Sequence, residues 1–552
     1  MRRLLLWYVL CFADVSIAAF HQKDEAAQDT QIPMGEVAKD PLSGDFSKTI
    51  KSLLDKWNVP GLAVGVIDGN DTWVKGYGVA QVSPRVPVTP QTLFYGGSTT
   101  KAFTGAAVAR LINSGQYRNP SFPEHVVDWK TPISEILPED FVLQDEWSTA
   151  HITLEDALTH RTGMAAHDWA YGGERPAVKE IVRSMRHLPI NQPPRTKWQY
   201  CNLMYITASH AVETLTSLGL GHVLKEWIWQ PLGMDSTFWH IDDARAAGEQ
   251  VAVGYYWEPK EKAFKEIPYV ESKAISGAGA ILSNVVDYSK WVRALVHEDG
   301  FLSKDTHDAI KMPRMFNSGS GGNYDAPTAY ALGWVTSTYK GHRIWFHGGA
   351  TDAFGSNVIF FPDLKFGVVT LANSAFFGNA IGEIVSFELA DDRLGLSQEE
   401  RADWGKSWRQ TLDQGNSLSD KAEDILYPGR PKQAVKPTLP LESYTGTYFS
   451  PGWRNMTITL IDENTMRNRR PKAQLRVHRP DSSWSFAGEL EHVTGEYWIL
   501  YSSFATLPVQ PLEISPLDFR IGADGKIAGL ELEFGNAPKG AGEGVVSFEK
   551  IA

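Results

Sequence analysis

Phe94-Tyr95-Gly96-Gly97-Ser98-Thr99-Thr100-Lys101 is the stretch on which the reading of this chain turns. Two glycines end an extended run, and the segment from Ser98 to Gly115 then reads as a helix. If Ser98 opens that helix, Ser98 and Lys101 stand at i and i+3 on one face. A serine hydroxyl attacks a carbonyl only when a base takes its proton, and a desolvated lysine amine can be that base. The helix N-terminus adds positive potential where an oxyanion would form. The spacing alone says little, because chance yields about two such Ser–Lys pairs in a chain of this length. Ser337-Thr338-Tyr339-Lys340 repeats it in strand-like sequence, where i and i+3 face opposite sides. An ordinary helix cap is the competing account of Ser98.

Two further elements meet the same chemistry. In Tyr200-Cys201-Asn202, a locally extended backbone points Tyr200 and Asn202 one way and Cys201 the other. Tyr200 could then shuttle the serine proton with Lys101, and Asn202 could hydrogen-bond substrate and lysine. The bland account is a core tyrosine and a turn asparagine, with Cys201 a packing residue. A second copy, Tyr117-Arg118-Asn119, follows the far end of the Ser98 helix, about 30 Å away at 1.5 Å per residue. His347-Gly348-Gly349-Ala350 follows a strand-like run; its glycines let a substrate backbone approach closely. The N–H of Ala350 could pair with that of Ser98 as an oxyanion hole.

Taken in order, these segments resemble the serine β-lactamase-like superfamily, in the branch of class C β-lactamases, D-alanyl-D-alanine carboxypeptidases, D-aminopeptidases and related esterases. Ser98-Thr99-Thr100-Lys101 matches its S-x-x-K, Tyr200-Cys201-Asn202 its Y-x-N, and His347-Gly348-Gly349 its H-x-G, the counterpart of K-T-G. Pro60-Gly61-Leu62-Ala63-Val64, Leu158 to Met164, Pro231-Leu232-Gly233-Met234, Gly277 to Ser283 and Leu332-Gly333-Trp334 also look like the family, over roughly residues 45–390. The resemblance implies Ser98, Lys101 and Tyr200 as catalytic residues. It implies Asn202, His347, Gly349 and Ala350 as substrate-binding and oxyanion residues. His347 stands where the antibiotic-hydrolysing members keep a lysine. A histidine is mostly neutral at pH 7, so ester, amide or D-residue substrates are favoured over β-lactams or peptidoglycan.

The resemblance implies an α+β fold, a β-lactamase/transpeptidase-like two-lobed domain with an antiparallel sheet flanked by helices plus a helical lobe. The order of patterns agrees: strands, then mostly helices from about 125 to 300, then strands to about 375 and a closing helix near 378–395. We expect this domain over 20–400. The polar stretch 401–435, with Gly415-Asn416-Ser417 leading into a Pro-rich run, reads as a linker. From 436 to 552 short strands separated by turns read as a small antiparallel barrel, which resembles the lipocalin-like domain appended to some members.

Residues 1–19 read as a signal peptide: Arg2 and Arg3, an apolar run of ten from Leu4 to Ala13, and small residues at Ser16, Ala18 and Ala19. That implies a secreted or secretory-pathway protein, without stable membrane insertion. Asn70-Asp71-Thr72 and Asn455-Met456-Thr457 are then glycosylation candidates.

Composition bounds the rest. The chain has 552 residues, 43% of them apolar, and a formal charge of −12, which disfavours nucleic acid as a partner. Two cysteines exclude a disulfide scaffold and cysteine-rich metal sites, and the histidines show no H-E-x-x-H spacing. No metal and no cofactor are expected. The expected partner is a small-molecule or short peptide substrate; oligomeric state is open. Trp169, Tyr171, Trp198 and Trp257 are candidate pocket walls. Three readings follow: a serine hydrolase, an acyltransferase using the same intermediate, and a non-catalytic binding protein on the same fold.

Overall fold

The computed structural model describes residues 40–552 except 173–176, 270–273, 299, 320–321, 462–469, 471 and 508–512. The expected signal peptide lies outside the described residues.

Nine antiparallel strands form the main sheet, in the order Val86–Pro87, Asp71–Gln81, Gly61–Asp68, Phe366–Ala372, Gly355–Phe361, His342–Ala350, Val335–Tyr339, Ala329–Tyr330 and Met315–Phe316. The first strands thus pair with strands some 300 residues later. The segment between them supplies the helical lobe, as the strand–helix–strand order implies.

Strand Gly61–Asp68 shows why its apolar run is unbroken. Leu62, Val64 and Val66 pack in one core with the helices Gly44–Trp57 and Phe377–Arg393. Ala63 and Ile67 pack in the other core, with helix Val285–His297 and the helical lobe. Side chains alternate across a strand, so a sheet covered on both faces needs apolar residues at every position.

Within the segment 401–435, expected as a linker, two helices occupy Trp404–Asp420 and Ala422–Leu426. Helix Trp404–Asp420 lays Trp404, Trp408 and Thr411 on the main domain at helical spacing. The Trp404 ring stacks on Phe387 at 3.9 Å, and the Trp408 indole N–H donates to Glu383 at 2.6 Å. Ala422 and Leu426, on the following short helix, pack on the barrel with Ile499, Tyr501 and Ile514. The chain therefore crosses to the second domain as packed helix.

The barrel runs from Gly446–Ser450 to Val546–Lys550, eight antiparallel strands closed by pairing of the first with the last. Side chains fill it: Trp453 stacks on Phe534 at 4.7 Å, and Trp498, Phe519 and Phe548 are buried. The barrel also grips the catalytic domain. Arg479, 1% exposed, donates to the carbonyls of Trp169 and Ala170. The Trp169 ring sits against Phe486 and Phe504, and its N–H donates to Glu513 at 2.9 Å. The backbone N–H of His167 donates to Glu543, and Asn191 donates to the Gly542 carbonyl. Trp169 and Tyr171 are thus buried against the barrel and do not form open pocket walls as expected.

Candidate active site

Ser98 lies in a single 3-10 turn, Gly97–Thr99, which feeds helix Thr100–Asn113. The turn is pressed against the end of strand His342–Ala350. A Cβ on Gly97 (φ +52°) would lie 2.7 Å from Ala350 N, and one on Gly349 would lie 2.1 Å from the Gly96 carbonyl and 2.9 Å from Ser98 N. Only glycine fits either position. The strand end is also tied down: Ser356 Oγ donates to the Gly96 carbonyl, and Asn379 Nδ2 to the Gly349 carbonyl at 2.9 Å. In a trans peptide the C=O and N–H point opposite ways, so Ala350 N–H is aimed away from Asn379. The backbones of Ser98 and Ala350 are therefore brought side by side, the arrangement an oxyanion hole needs.

Lys101, fully buried, reaches three acceptors: Ser98 Oγ at 2.9 Å, Asn202 Oδ1 at 2.7 Å and the Ala278 carbonyl at 2.7 Å. Two of these, the amide oxygen and the carbonyl, can only accept. A neutral amine can satisfy both with its two N–H groups and turn its lone pair to the Ser98 hydroxyl. After taking that proton, the ammonium donates to all three. The geometry therefore suits a base for Ser98.

Tyr200 and Asn202 both face this amine while Cys201, between them, is buried in the core. The backbone is extended at Cys201, and helix Asn202–Thr216 begins at the next residue. The Tyr200 ring centre is 4.7 Å from Lys101 Nζ and 4.2 Å from the His160 ring. Burial pushes the Cys201 thiol well up, so it remains a neutral packing group. His160, in the turn Leu158–Met164, holds this segment: its Nδ1 accepts the Cys201 N–H at 3.0 Å. The copy at Tyr117-Arg118-Asn119 is elsewhere, with Asn119 donating to Glu135. Ser337 and Lys340 bond to the carbonyls of Ala326 and Glu400.

His347 is 1% exposed, and burial and then the nearby Lys101 charge hold its pKa down to about 3. It is neutral at working pH and carries one ring proton. Nδ1 faces the Gly348 carbonyl at 2.6 Å and so carries that proton; Nε2 then accepts from Tyr330 Oη at 2.8 Å. Both ring nitrogens are engaged within the protein. His347 thus positions Tyr330 and the strand end, where the sequence suggested direct contact with substrate.

Asp168 was missed at the sequence level. It accepts from Asn202 Nδ2 and from Tyr171 Oη, both at 2.9 Å, and so fixes which way the Asn202 amide faces. Burial raises its carboxyl to about 6, with Glu543 of the barrel adding to the rise. Ala278 was also missed as an acceptor, although its glycine-rich surroundings stood out. A backbone carbonyl has no residue-type signature; Asp168 sits four residues past the Leu158–Met164 turn without any motif of its own. Trp198 packs against His160, Tyr200 and Tyr330, behind the site, and Trp257 lies on a separate hairpin against Phe264. Among the described residues, no cluster of three or more His, Cys, Asp or Glu side chains is placed to hold a metal ion. No described helix is long and apolar enough to cross a membrane.

Comparison with known proteins agrees with this geometry. The chain is 40% identical to an unguisins hydrolase of Aspergillus campestris, over 89% of each chain. It is 37% identical to an unguisins hydrolase of Aspergillus violaceofuscus, over 83% of this chain and 82% of that one. The octameric penicillin-binding protein homologue from Pyrococcus abyssi shares the fold, with a TM-score of 0.55 at 17% identity, over 92% of this chain and 99% of that one. The beta-lactamase family model matches residues 46–383. With its serine–lysine pair inside that match, the chain belongs to the beta-lactamase family, as one of its serine hydrolases.

Proposed function

We propose that this hydrolase cleaves an ester or amide bond through an acyl-enzyme on Ser98. The observation that carries the proposal is the Lys101 amine, held between Ser98 Oγ, Asn202 Oδ1 and the Ala278 carbonyl. Ser98 Oγ attacks the substrate carbonyl as Lys101, with Tyr200, takes its proton. The N–H groups of Ser98 and Ala350 stabilise the oxyanion. The proton goes to the leaving alcohol or amine as the carbon–oxygen or carbon–nitrogen bond breaks. Water, deprotonated by the same pair, then attacks the Ser98 ester and releases the acid.

Buried and neutral, His347 supplies no cation for a substrate carboxylate, which supports neutral esters or amides over β-lactams. The relatives are named for hydrolysing unguisins, and that class is the first substrate to test. Delivery of the acyl group to an alcohol or amine would use the same Ser98 intermediate. Turnover of an unguisin and of an ester and amide panel, by parent and Ser98→Ala enzyme, tests the proposal. Products measured with and without an added amine separate the two fates. Activity surviving Ser98→Ala would contradict it.

We also propose the secretory pathway as its location. Asn70, at a hairpin tip, and Asn455 are both exposed, as glycosylation requires. An endoglycosidase mobility shift that is lost in Asn70→Gln/Asn455→Gln supports this; no shift in the parent from a eukaryotic secretory host counts against it.

A further inference from the structure

Between the two domains lies a cavity of about 210 Å³. One side is catalytic domain, with Tyr269 and Asp352; the other is barrel, with Trp484, Phe504 and Thr506. It adjoins the site along the backbone: Asp352 is two residues beyond Ala350, so their Cα atoms are within about 7.6 Å of each other. Asp352 is held by the barrel, accepting from Thr506 Oγ1 at 2.8 Å. Tyr269 is continuous with the other edge of the site: its ring stacks on Phe354 at 6.4 Å, and Phe354 packs on Tyr95, three residues before Ser98.

The walls indicate what fits. Tyr269, Trp484 and Phe504 present partly exposed rings. Two of the polar groups are engaged inside the protein: Ser482 Oγ donates to the Trp484 carbonyl, and Thr506 to Asp352. The rings supply the apolar part of a lining that also carries Asp352, Ser483 and Ser485, and aromatic faces favour offset or edge contacts with another ring. A cavity of about 150 Å³ suffices for benzene, so this one accommodates a single aromatic side chain and not a whole substrate.

We infer that this cleft is a substrate subsite, formed jointly by barrel and catalytic domain, for an aromatic side chain next to the scissile carbonyl. The inference rests on the Ser98 reading above and adds a substrate class to it: aromatic esters or peptide amides. It also gives the barrel a function, because the catalytic domain alone lacks one wall of the subsite.

The test uses the full chain and two pairs of esters. In one pair the acyl group is acetyl or phenylacetyl on a common alcohol; in the other the alcohol is methyl or benzyl on a common acid. The parent should prefer the phenyl-bearing member of one pair. Trp484→Ala should lower that ratio of kcat/KM at least about tenfold, chiefly through KM, as loss of a ring-sized apolar contact implies. Ser485→Trp, which fills the cleft from the barrel side, should lower the same ratio and guards against misfolding of the first variant. Ratios within twofold of the parent in both variants, for both ester pairs, would overturn the subsite. If the parent turns over neither member of either pair, the Ser98 proposal is what fails. Acetyl or methyl turnover without any phenyl preference overturns the subsite alone.

Discussion

Substituting Gly349 by alanine tests the oxyanion geometry directly. The added Cβ would stand 2.1 Å from the Gly96 carbonyl oxygen and 2.9 Å from Ser98 N, where ordinary contact begins near 3.4 Å. The Gly96 carbonyl cannot swing aside freely, since Ser356 Oγ holds it at 2.7 Å. Strand end and serine turn must separate by about 1 Å, and a misplacement of that size at a reacting centre costs about 100-fold in rate. Full loss of one oxyanion donor costs about 10²–10³-fold, or about 3 kcal/mol of transition-state stabilisation. Gly349→Ala should therefore lower kcat about 100-fold, with KM changed much less. Gly219→Ala is the control: a Cβ there meets nothing within 4 Å, and its φ of −59° suits any residue. Steady-state hydrolysis of a chromogenic ester, with circular dichroism and a thermal melt for each variant, reads the outcome. A natively folded Gly349→Ala enzyme with kcat within threefold of the parent would refute the reasoning.

Three other outcomes follow from the same geometry. Asp168 holds Asn202 best as a carboxylate, so activity should fall as pH drops through about 6, where burial and Glu543 place its protonation. Glu543→Gln removes a neighbouring negative charge while keeping an acceptor for the His167 N–H; the Asp168 pKa then falls and the acid limb moves to lower pH. An unmoved limb in a pH profile of kcat/KM would show that Asp168 does not set it. Trp169→Ala removes a 2%-exposed ring packed on the barrel and should destabilise by about 3–5 kcal/mol, read as a lower Tm. Lys101→Met keeps an unbranched stem of similar reach to Cε but removes the base, and kcat should fall by at least about 10²-fold, the smallest contribution usual for general-base catalysis.

Much of this architecture is legible in the amino-acid sequence. The strand-like runs of the main sheet, the glycine turn before Ser98 with the helix that follows it, and the short barrel strands carry strong local signals of period, glycine and turn chemistry; Asn202, expected in extended backbone, instead opens a helix. The helix Trp404–Asp420 was hidden by its polar composition and by Gly405 and Gly415, although Trp404, Trp408 and Thr411 already stood at helical spacing. The Ala278 carbonyl and the Asp168–Asn202 contact depend on chain segments brought together only by tertiary packing, so periodicity carries no trace of them. The surroundings of Trp169 and His347 are hidden from the sequence for a related reason. Their residue types suggest ligand contact, but what they touch is decided by the barrel in one case and by Tyr330 and Gly348 in the other.

The central claim is covalent chemistry at Ser98. Rapid acid quenching of the enzyme during turnover of a slow ester, followed by intact mass and peptide mapping, tests it most directly. The account predicts a mass increase equal to the acyl group, located on the peptide that carries Ser98 and absent from Ser98→Ala. An adduct on another residue, or one that persists at the same level in Ser98→Ala, would contradict it.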